Sequence, residues 1–228
     1  MDLYLPTQFI SLADPQILAV LIQENFEEMI DLKDQQQIAF GPSPEIRDNT
    51  DYTKMRKGVY ERLLKAQELL PHGLKFCLYE AYRSLELQQA LFDNRYNDLK
   101  SLHSSWRHEE LFQETTKLVS PTINRDGSKN IPPHSTGGAI DIYLVDEAEN
   151  PVDMGILVKD WMKDLDGSLS QIDSSIISVE VKRYRTIMGE ALRAVGFINY
   201  PTEYWHWSYG DRYWAYHKSE SHALYGSI

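Results

Sequence analysis

Two short stretches of the chain hold histidine and carboxylate side chains at spacings that suit a metal centre. In the first, His134 precedes Asp141 by seven residues, with two glycines and two small hydroxyl residues between them. In the second, Glu203 precedes His206 by three residues within an aromatic-rich segment. Catalytic zinc usually has three protein ligands, drawn mostly from histidine and carboxylate groups, and one water molecule. The two stretches together therefore predict a zinc site with one ion per chain.

The first stretch runs into a predicted β-strand from Ala139 to Leu144. Alternate residues of a strand point to opposite faces, so Asp141 shares a face with Ala139 and Tyr143, while the aliphatic residues face the core. A buried aspartate is costly unless it is paired or bound to a metal. Considered alone, this stretch is equally consistent with a solvent-facing Asp141 and a loop histidine at position 134.

In the second stretch, Glu203 is the candidate general base, because a nearby carboxylate can take the proton of a water that attacks a carbonyl. Positions three apart on a regular strand face opposite ways, so we expect a loop or bulge between Glu203 and His206. The neighbouring Tyr204, Trp205 and Trp207 would exclude water and strengthen electrostatic interactions. By itself, the pair is explained more readily by an aromatic core cluster with a surface glutamate. The order and combination of both stretches favour the metal site.

The composition is that of an ordinary globular protein, with 42% hydrophobic and 25% charged residues. Its 228 residues suit one large domain or two small ones, and because no linker divides the sequence we expect a single domain over 1–228. The net charge of −11 argues against nucleic-acid and anionic-membrane partners, since phosphate binding needs clustered lysine and arginine. The single cysteine, Cys77, is expected in the core rather than as a nucleophile.

No disulfide within the chain is possible, and the N-terminus lacks the basic and apolar regions of a signal peptide. No apolar run approaches the length of a membrane span, so we expect a cytoplasmic enzyme. Apolar periodicity predicts helical segments at 14–30, 57–70, 85–97, 102–118 and 178–195 and strands at 37–40, 74–79, 139–144 and 206–209. Residues 31–54 are predicted to be mainly a long loop of the kind that can cover an active site. Glu80 and Arg83 follow a strand directly, where side chains can point into a site.

With these stretches in place, the chain resembles the D-alanyl-D-alanine peptidases of the Hedgehog/zinc-peptidase fold group. His134-Ser-Thr-Gly-Gly-Ala-Ile-Asp141 resembles their His-x-x-Gly-x-Ala-x-Asp motif, and Glu203-Tyr-Trp-His206 resembles their Glu-x-x-His motif. Within that group the sequence is most similar to the D-alanyl-D-alanine dipeptidases. Further similarity lies at 80–83, 152–155 and 196–201, so the resemblance covers about 57–216.

The resemblance implies an α+β fold in which a small, mainly antiparallel sheet carries a zinc site and helices pack on one side. It implies hydrolysis of the small dipeptide D-Ala-D-Ala, with Glu203 as general base and later proton donor and Arg83 stabilising the developing oxyanion. The implied zinc ligands are His134, Asp141 and His206. Residues that it places against the substrate or behind the ligands are Glu80, Tyr82, Ser135, Asp153 and Trp205.

The sequence departs from the family pattern at three positions, none of them a proposed ligand or the base. Pro132 stands where relatives often have serine, Ser84 where they often have proline, and Tyr204 where they usually have tryptophan. Two alternatives share the ligand motifs. One is a peptidoglycan D,D- or L,D-carboxypeptidase or endopeptidase of the same fold. The other is a non-catalytic binding module stabilised by a metal, which would need neither Glu203 nor Arg83.

Overall fold

The computed structural model describes residues 10–42, 50–164 and 166–228. The α-helices are α1 (Pro15–Leu18), α2 (Lys57–Glu68), α3 (Leu85–Leu102), α4 (His108–Thr115), α5 (Val179–Ala194) and α6 (Arg212–Lys218). The strands are β1 (Met29–Asp31), β2 (Ala39–Phe40), β3 (Lys54–Arg56), β4 (Leu74–Glu80), β5 (Ala139–Asp146), β6 (Ile198–Asn199) and β7 (His206–Ser208). Short 3-10 helices lie at Leu32–Asp34, Pro133–Thr136 and Val158–Lys163.

The main sheet has five strands in the order β2-β4-β5-β7-β6. Its neighbouring strands are antiparallel except for the parallel pair β2 and β4. A separate two-stranded ribbon joins β1 and β3. The predicted α+β fold with a small, mainly antiparallel sheet is therefore confirmed.

One face of the main sheet is covered by α2 and α5, which also contact each other. Ile140, Ile142 and Leu144 of β5 are fully buried there, as the alternating pattern predicts. The intervening Asp141 consequently points to the other face of the sheet. At its register position it pairs with Glu80 of β4 on one side and His206 of β7 on the other. The sheet therefore brings together residues that are far apart in sequence.

The predicted first helix was wrong in length. Asp14 caps it, its carboxylate accepting a hydrogen bond from the Gln16 amide at 2.9 Å, but the helix ends at Leu18. The chain then runs beside the C-terminal segment, where the Gln23 amide donates to the Ala223 carbonyl at 2.9 Å. Phe26, which falls within the predicted helical segment at 14–30, is 87% exposed. Pairing with a distant segment has overridden the local periodicity.

The other predicted elements are present with shifted ends. The predicted strand at 37–40 appears as β2, which joins the main sheet through β4. Part of the predicted covering loop, 43–49, lies outside the described residues, so its role over the site stays a prediction. Among the described residues, no helix combines the length and apolar character needed to cross a bilayer.

Candidate metal centre

Three buried side chains converge at the sheet face opposite α2 and α5. His134 comes from the 3-10 helix before β5, Asp141 from β5 itself and His206 from the start of β7. The Asp141 Oδ1 atom lies 3.1 Å from His206 Nδ1 and 3.3 Å from His134 Nε2. The two histidine nitrogens are 3.1 Å apart. These three residues form the one cluster of possible metal ligands found within the described parts of the chain.

Two glycines allow the chain to bring His134 back over β5. Gly137 ends the 3-10 helix with a φ of 70°, a conformation that residues with a side chain rarely adopt. Gly138 packs so closely that a Cβ atom there would lie 2.5 Å from the Tyr209 carbonyl oxygen. The pair of glycines between His134 and Asp141 therefore has a geometric cause.

Hydrogen bonds outside the cluster orient the histidine rings. The Nδ1 atom of His134 lies 2.7 Å from the Ala81 carbonyl oxygen, which can only accept, so Nδ1 carries the hydrogen. Its Nε2 lone pair consequently faces Asp141. His206 presents Nδ1 to the cluster, and its Nε2 lies 3.5 Å from the Ser208 hydroxyl. Such outer contacts are the usual way in which metal-binding histidines are fixed.

The donor set fits a tetrahedral divalent cation such as zinc. Ligands about 2.0–2.1 Å from a tetrahedral ion lie about 3.3–3.4 Å from one another, and the observed separations are 3.1–3.3 Å. Burial alone would raise the pKa of Asp141, but the two histidines lower the pKa more, so this carboxylate is ionised. Three side chains whose possible ligand atoms meet at one point suit a bound cation.

Glu203 lies beside this cluster on a turn that precedes β7. Its Oε2 atom accepts a hydrogen bond from the Trp205 indole at 3.1 Å and lies 4.0 Å from His206 Nδ1. Burial, and next the negative charge of Asp141, raises the pKa of Glu203 to about 8. A carboxyl group with a pKa near neutrality can both accept and return a proton. The loop expected between Glu203 and His206 is present in the structure.

The turn between Glu203 and His206 is held by Asn199, which was not among the predicted site residues. The side-chain amide of Asn199 donates to the carbonyl oxygens of Glu203, at 2.9 Å, and His206, at 3.0 Å. The Glu203 amide in turn donates to the Tyr200 carbonyl at 2.9 Å. Asparagine directly before a Tyr-Pro turn was the available signal, because its side chain readily bonds nearby backbone groups.

Arg83 is fixed beside the cluster by two partners. Its Nε and Nη2 atoms donate to the same oxygen of the fully buried Glu80, the Nε contact being 3.0 Å long. Its Nη1 atom donates to Gln88 Oε1 at 3.0 Å, a partner that the sequence did not indicate. Its Nη2 atom lies 3.9 Å from Asp141 Oδ2. A positive charge is therefore held in a defined place next to the candidate ligands.

A cavity opens onto the three candidate ligands, with Arg83, Glu203 and Trp205 among its lining residues. Pro132, one of the departures from the family pattern described above, also lines it. The candidate catalytic residues and the candidate metal ligands, which come from distant parts of the chain, thus line the same cavity.

The remaining site predictions differ in outcome. Glu80 lies behind Arg83, and the Ser135 hydroxyl donates to the Arg83 carbonyl at 2.9 Å, so both support that arginine. Tyr82 and Asp153 do not line the cavity. The Tyr82 hydroxyl lies 3.5 Å from the Ile228 carbonyl oxygen. Asp153 is exposed and accepts a hydrogen bond from the nearby Gly155 amide at 2.8 Å.

The fold and the candidate site suit a metal-dependent hydrolase, because three buried side chains that could bind a metal lie together with a carboxyl group and a fixed cation beside them. The Peptidase M15 family model, described as D-ala-D-ala dipeptidase, matches residues 47–223. The chain therefore belongs to the D-Ala-D-Ala dipeptidase family and is a metallopeptidase.

Individual relatives were also found. A curated D-alanyl-D-alanine dipeptidase of Synechocystis sp. (strain ATCC 27184 / PCC 6803 / Kazusa) is 25% identical over 238 residues, covering 92% of this chain and 96% of the relative. A solved structure of VanYB in complex with D-Alanine-D-Alanine is 16% identical, with a TM-score of 0.46 and coverage of 90% and 93%. A structure of the LdcB LD-carboxypeptidase is 16% identical, with a TM-score of 0.39 and coverage of 96% and 90%. Both structural likenesses are distant.

Proposed function

We propose that this metallopeptidase uses one zinc ion to hydrolyse the dipeptide D-Ala-D-Ala to free D-alanine. The observation that carries the proposal is the convergence of His134, Asp141 and His206 in a cavity that also contains Glu203 and Arg83. The matched family and the dipeptidase relative support the choice of substrate.

Zinc held by His134, Asp141 and His206 would polarise the peptide carbonyl and acidify the attacking water. Glu203 accepts the proton of that water, for which its buried position next to the cluster suits it. The same carboxyl group then passes the proton to the leaving amine. The indole of Trp205 keeps the carboxylate turned toward the cluster during both transfers.

Arg83 would stabilise the negative charge that develops on the carbonyl oxygen. Its guanidinium is anchored through Glu80 and Gln88 before substrate arrives, so little reorganisation is needed during the reaction. Each residue role is part of the proposal and can be tested separately.

A second candidate function is cleavage of longer peptidoglycan stem peptides by a carboxypeptidase or endopeptidase reaction. It is favoured by an apolar cavity of about 300 Å³ next to the ligand cavity. The two cavities share Tyr79 and Val158 as lining residues, so a longer substrate could extend from one into the other. The dipeptidase assignment remains the main proposal because the family model and the curated relative both point to it.

The decisive experiment combines metal analysis with a substrate panel. Purified protein is analysed for zinc, and release of free D-alanine is measured from D-Ala-D-Ala, its L-containing stereoisomers, and stem tetra- and pentapeptides. We expect one zinc per chain and preferential cleavage of the D,D-dipeptide. Preferential cleavage of a stem peptide would transfer the assignment to the second candidate. Bound zinc without hydrolysis of any peptide would overturn both functions while leaving the metal site intact.

Two broader expectations belong to this proposal. The first is a single domain over 1–228, which predicts one cooperative unfolding transition. The second is a cytoplasmic location, which cell fractionation with compartment markers would test. Recovery of the protein outside the cytoplasmic fraction would contradict it and would favour a wall-directed substrate.

A further inference from the structure

Arg95 on α3 is a buried arginine whose surroundings leave its side chain incompletely satisfied. The residue is only 4% exposed, and within the described parts of the chain its Nε atom has no hydrogen-bond partner. Burial lowers the pKa of Arg95, and the carboxylates of Asp98, Glu114 and Asp164 oppose this shift through their charge, without a hydrogen bond. Buried polar groups almost always have a partner, so this exception calls for an explanation.

Arg95 borders a cavity of about 380 Å³. The polar residues that line it are Arg95, Glu114, Lys117, Asp166, Gln171 and Thr202. This volume lies within the usual range for small-molecule sites. A ligand that enters the cavity would therefore meet a guanidinium that is already buried and already desolvated.

The other charged groups of this cavity have partners of their own. The Lys117 ammonium forms an ion pair with Glu114 at 2.6 Å. The Asp166 carboxylate accepts a hydrogen bond from the Ser168 amide at 3.0 Å. Asp164, which lies nearby, accepts two hydrogen bonds from Ser170, each 2.7 Å long. Glu114 and Asp164, two of the carboxylates near Arg95, are thus bonded to other groups.

We propose that this cavity binds a small zwitterionic amino acid or short peptide, with its carboxylate on the Arg95 guanidinium. The planar guanidinium matches a carboxylate through two parallel hydrogen bonds. Glu114 is already paired with Lys117, so Asp166 is the carboxylate on the wall that would attract the ammonium group of a ligand. This distribution of charge favours a zwitterion over a simple anion.

The proposed site adjoins the metal-site cavity and is separate from it. The two cavities share Leu118 as a lining residue. Pro201 and Thr202, on the wall of the Arg95 cavity, belong to the turn that carries Glu203. A bound amino acid would therefore contact this turn from behind. The proposal goes beyond peptide hydrolysis and stands whichever peptide the metal site cleaves.

The experiment is a titration of the zinc-loaded, isotope-labelled protein with glycine, monitored by the backbone amide signals. Glycine is expected to shift the signals of Gly167 and Thr202, with acetate binding more weakly because it has no ammonium group. Replacement Arg95→Met should weaken glycine binding about tenfold or more, since it removes charge-assisted hydrogen bonds. Arg125→Met is the matched control, because Arg125 is an exposed arginine that pairs with Glu109 at 2.6 Å.

Several results would overturn the proposal. Shifts confined to the amides around His134 and His206 would place glycine in the metal-site cavity alone. Shifts that persist in Arg95→Met, or no shift in the wild type, would remove the assigned role of Arg95. Inorganic phosphate binding as tightly as glycine at Gly167 would contradict the zwitterion.

Thermal unfolding gives a second readout that does not rely on the amide signals. Glycine should raise the melting temperature of the wild type and leave that of Arg95→Met unchanged. Without glycine, Arg95→Met should melt at the wild-type temperature or above it, because the substitution removes an incompletely paired buried charge. A variant that melts well below the wild type, together with a wild type unaffected by glycine, would show that Arg95 acts through packing and would overturn the proposal.

Discussion

The side-chain amide of Asn199 donates a hydrogen bond to the carbonyl oxygen of Glu203 at 2.9 Å. The same amide group reaches the His206 carbonyl at 3.0 Å, so one side chain spans the turn between the proposed base and a proposed zinc ligand. Both contacts are to backbone atoms, and neither depends on the charge of Glu203. Asn199 is therefore a positioning residue for the two groups.

Replacement Asn199→Asp should disturb the site more than Asn199→Ala. In Asn199→Asp, a carboxylate oxygen would replace the amide donor and would face the carbonyl oxygens of Glu203 and His206, which can only accept. In Asn199→Ala, the donor is simply lost. Loss of two hydrogen bonds should lower the free energy of unfolding by about 1–3 kcal/mol, and kcat should fall while one zinc per chain stays bound. Denaturant unfolding, kcat and zinc content are measured together, with the exposed Asn97→Ala as control. Wild-type kcat in both Asn199 variants would contradict the positioning role.

Replacement Glu203→Gln tests the proposed general base. The amide keeps the size of the side chain and cannot accept the proton, so kcat should fall about 10²–10⁴-fold. Zinc content should stay at the wild-type value, since Glu203 is not one of the three converging side chains. The release of D-alanine and the zinc content are measured on the same preparation. Loss of zinc in this variant would mean instead that Glu203 binds or supports the metal.

Substitutions at Arg83 and Glu80 should combine differently in their effects on the free energy of unfolding and on kcat. Arg83→Met leaves the fully buried Glu80 without its ion pair, which should cost about 3–5 kcal/mol of unfolding free energy. The double variant Glu80→Gln with Arg83→Met removes both charges and should recover much of that loss. Its kcat should stay low, by about 10²–10³-fold, because the oxyanion still lacks a donor. Recovery of kcat along with stability would show that Arg83 acts only as a structural partner of Glu80.

The parts of the site that follow from short-range sequence patterns could be predicted. Alternation along β5 placed Asp141 on the face opposite the core, and the glycines after His134 indicated the close turn. The non-helical link between Glu203 and His206 followed from the period of a strand. These predictions needed only the local geometry of the backbone.

Other features depended on contacts between distant segments and could not be read from local patterns. The first helix stops at Leu18 because residues beyond it pair with the C-terminal segment around Ala223. Tyr82 belongs to a matched motif, yet its hydroxyl lies by Ile228. Sequence similarity marks which stretches matter, and it does not say which way each side chain points.

Removal of the metal should separate its catalytic role from the stability of the fold. A chelator should abolish hydrolysis, and added zinc should restore it. The backbone should stay folded, because the apolar core lies on the opposite face of the sheet, against α2 and α5. Circular dichroism and activity are followed on the same sample, with His103→Ala as a control histidine outside the cluster. Global unfolding on chelation, with no hydrolysis by the zinc-loaded protein, would favour a metal-stabilised binding module.

Cys77 should react slowly with thiol reagents in the native protein and should not be needed for hydrolysis. Burial raises the pKa of the Cys77 thiol, with a smaller opposing effect from the Tyr143 hydroxyl, which lies 3.1 Å from Sγ and can donate to the thiolate. Because the thiolate is the reactive form, modification should be slow at pH 8, should accelerate as the pH rises toward the elevated pKa, and should become fast on unfolding. Cys77→Ala should retain kcat within about threefold, since the residue does not line the metal-site cavity. Rapid native modification, or a large loss of kcat in Cys77→Ala, would reopen a nucleophilic role for this thiol.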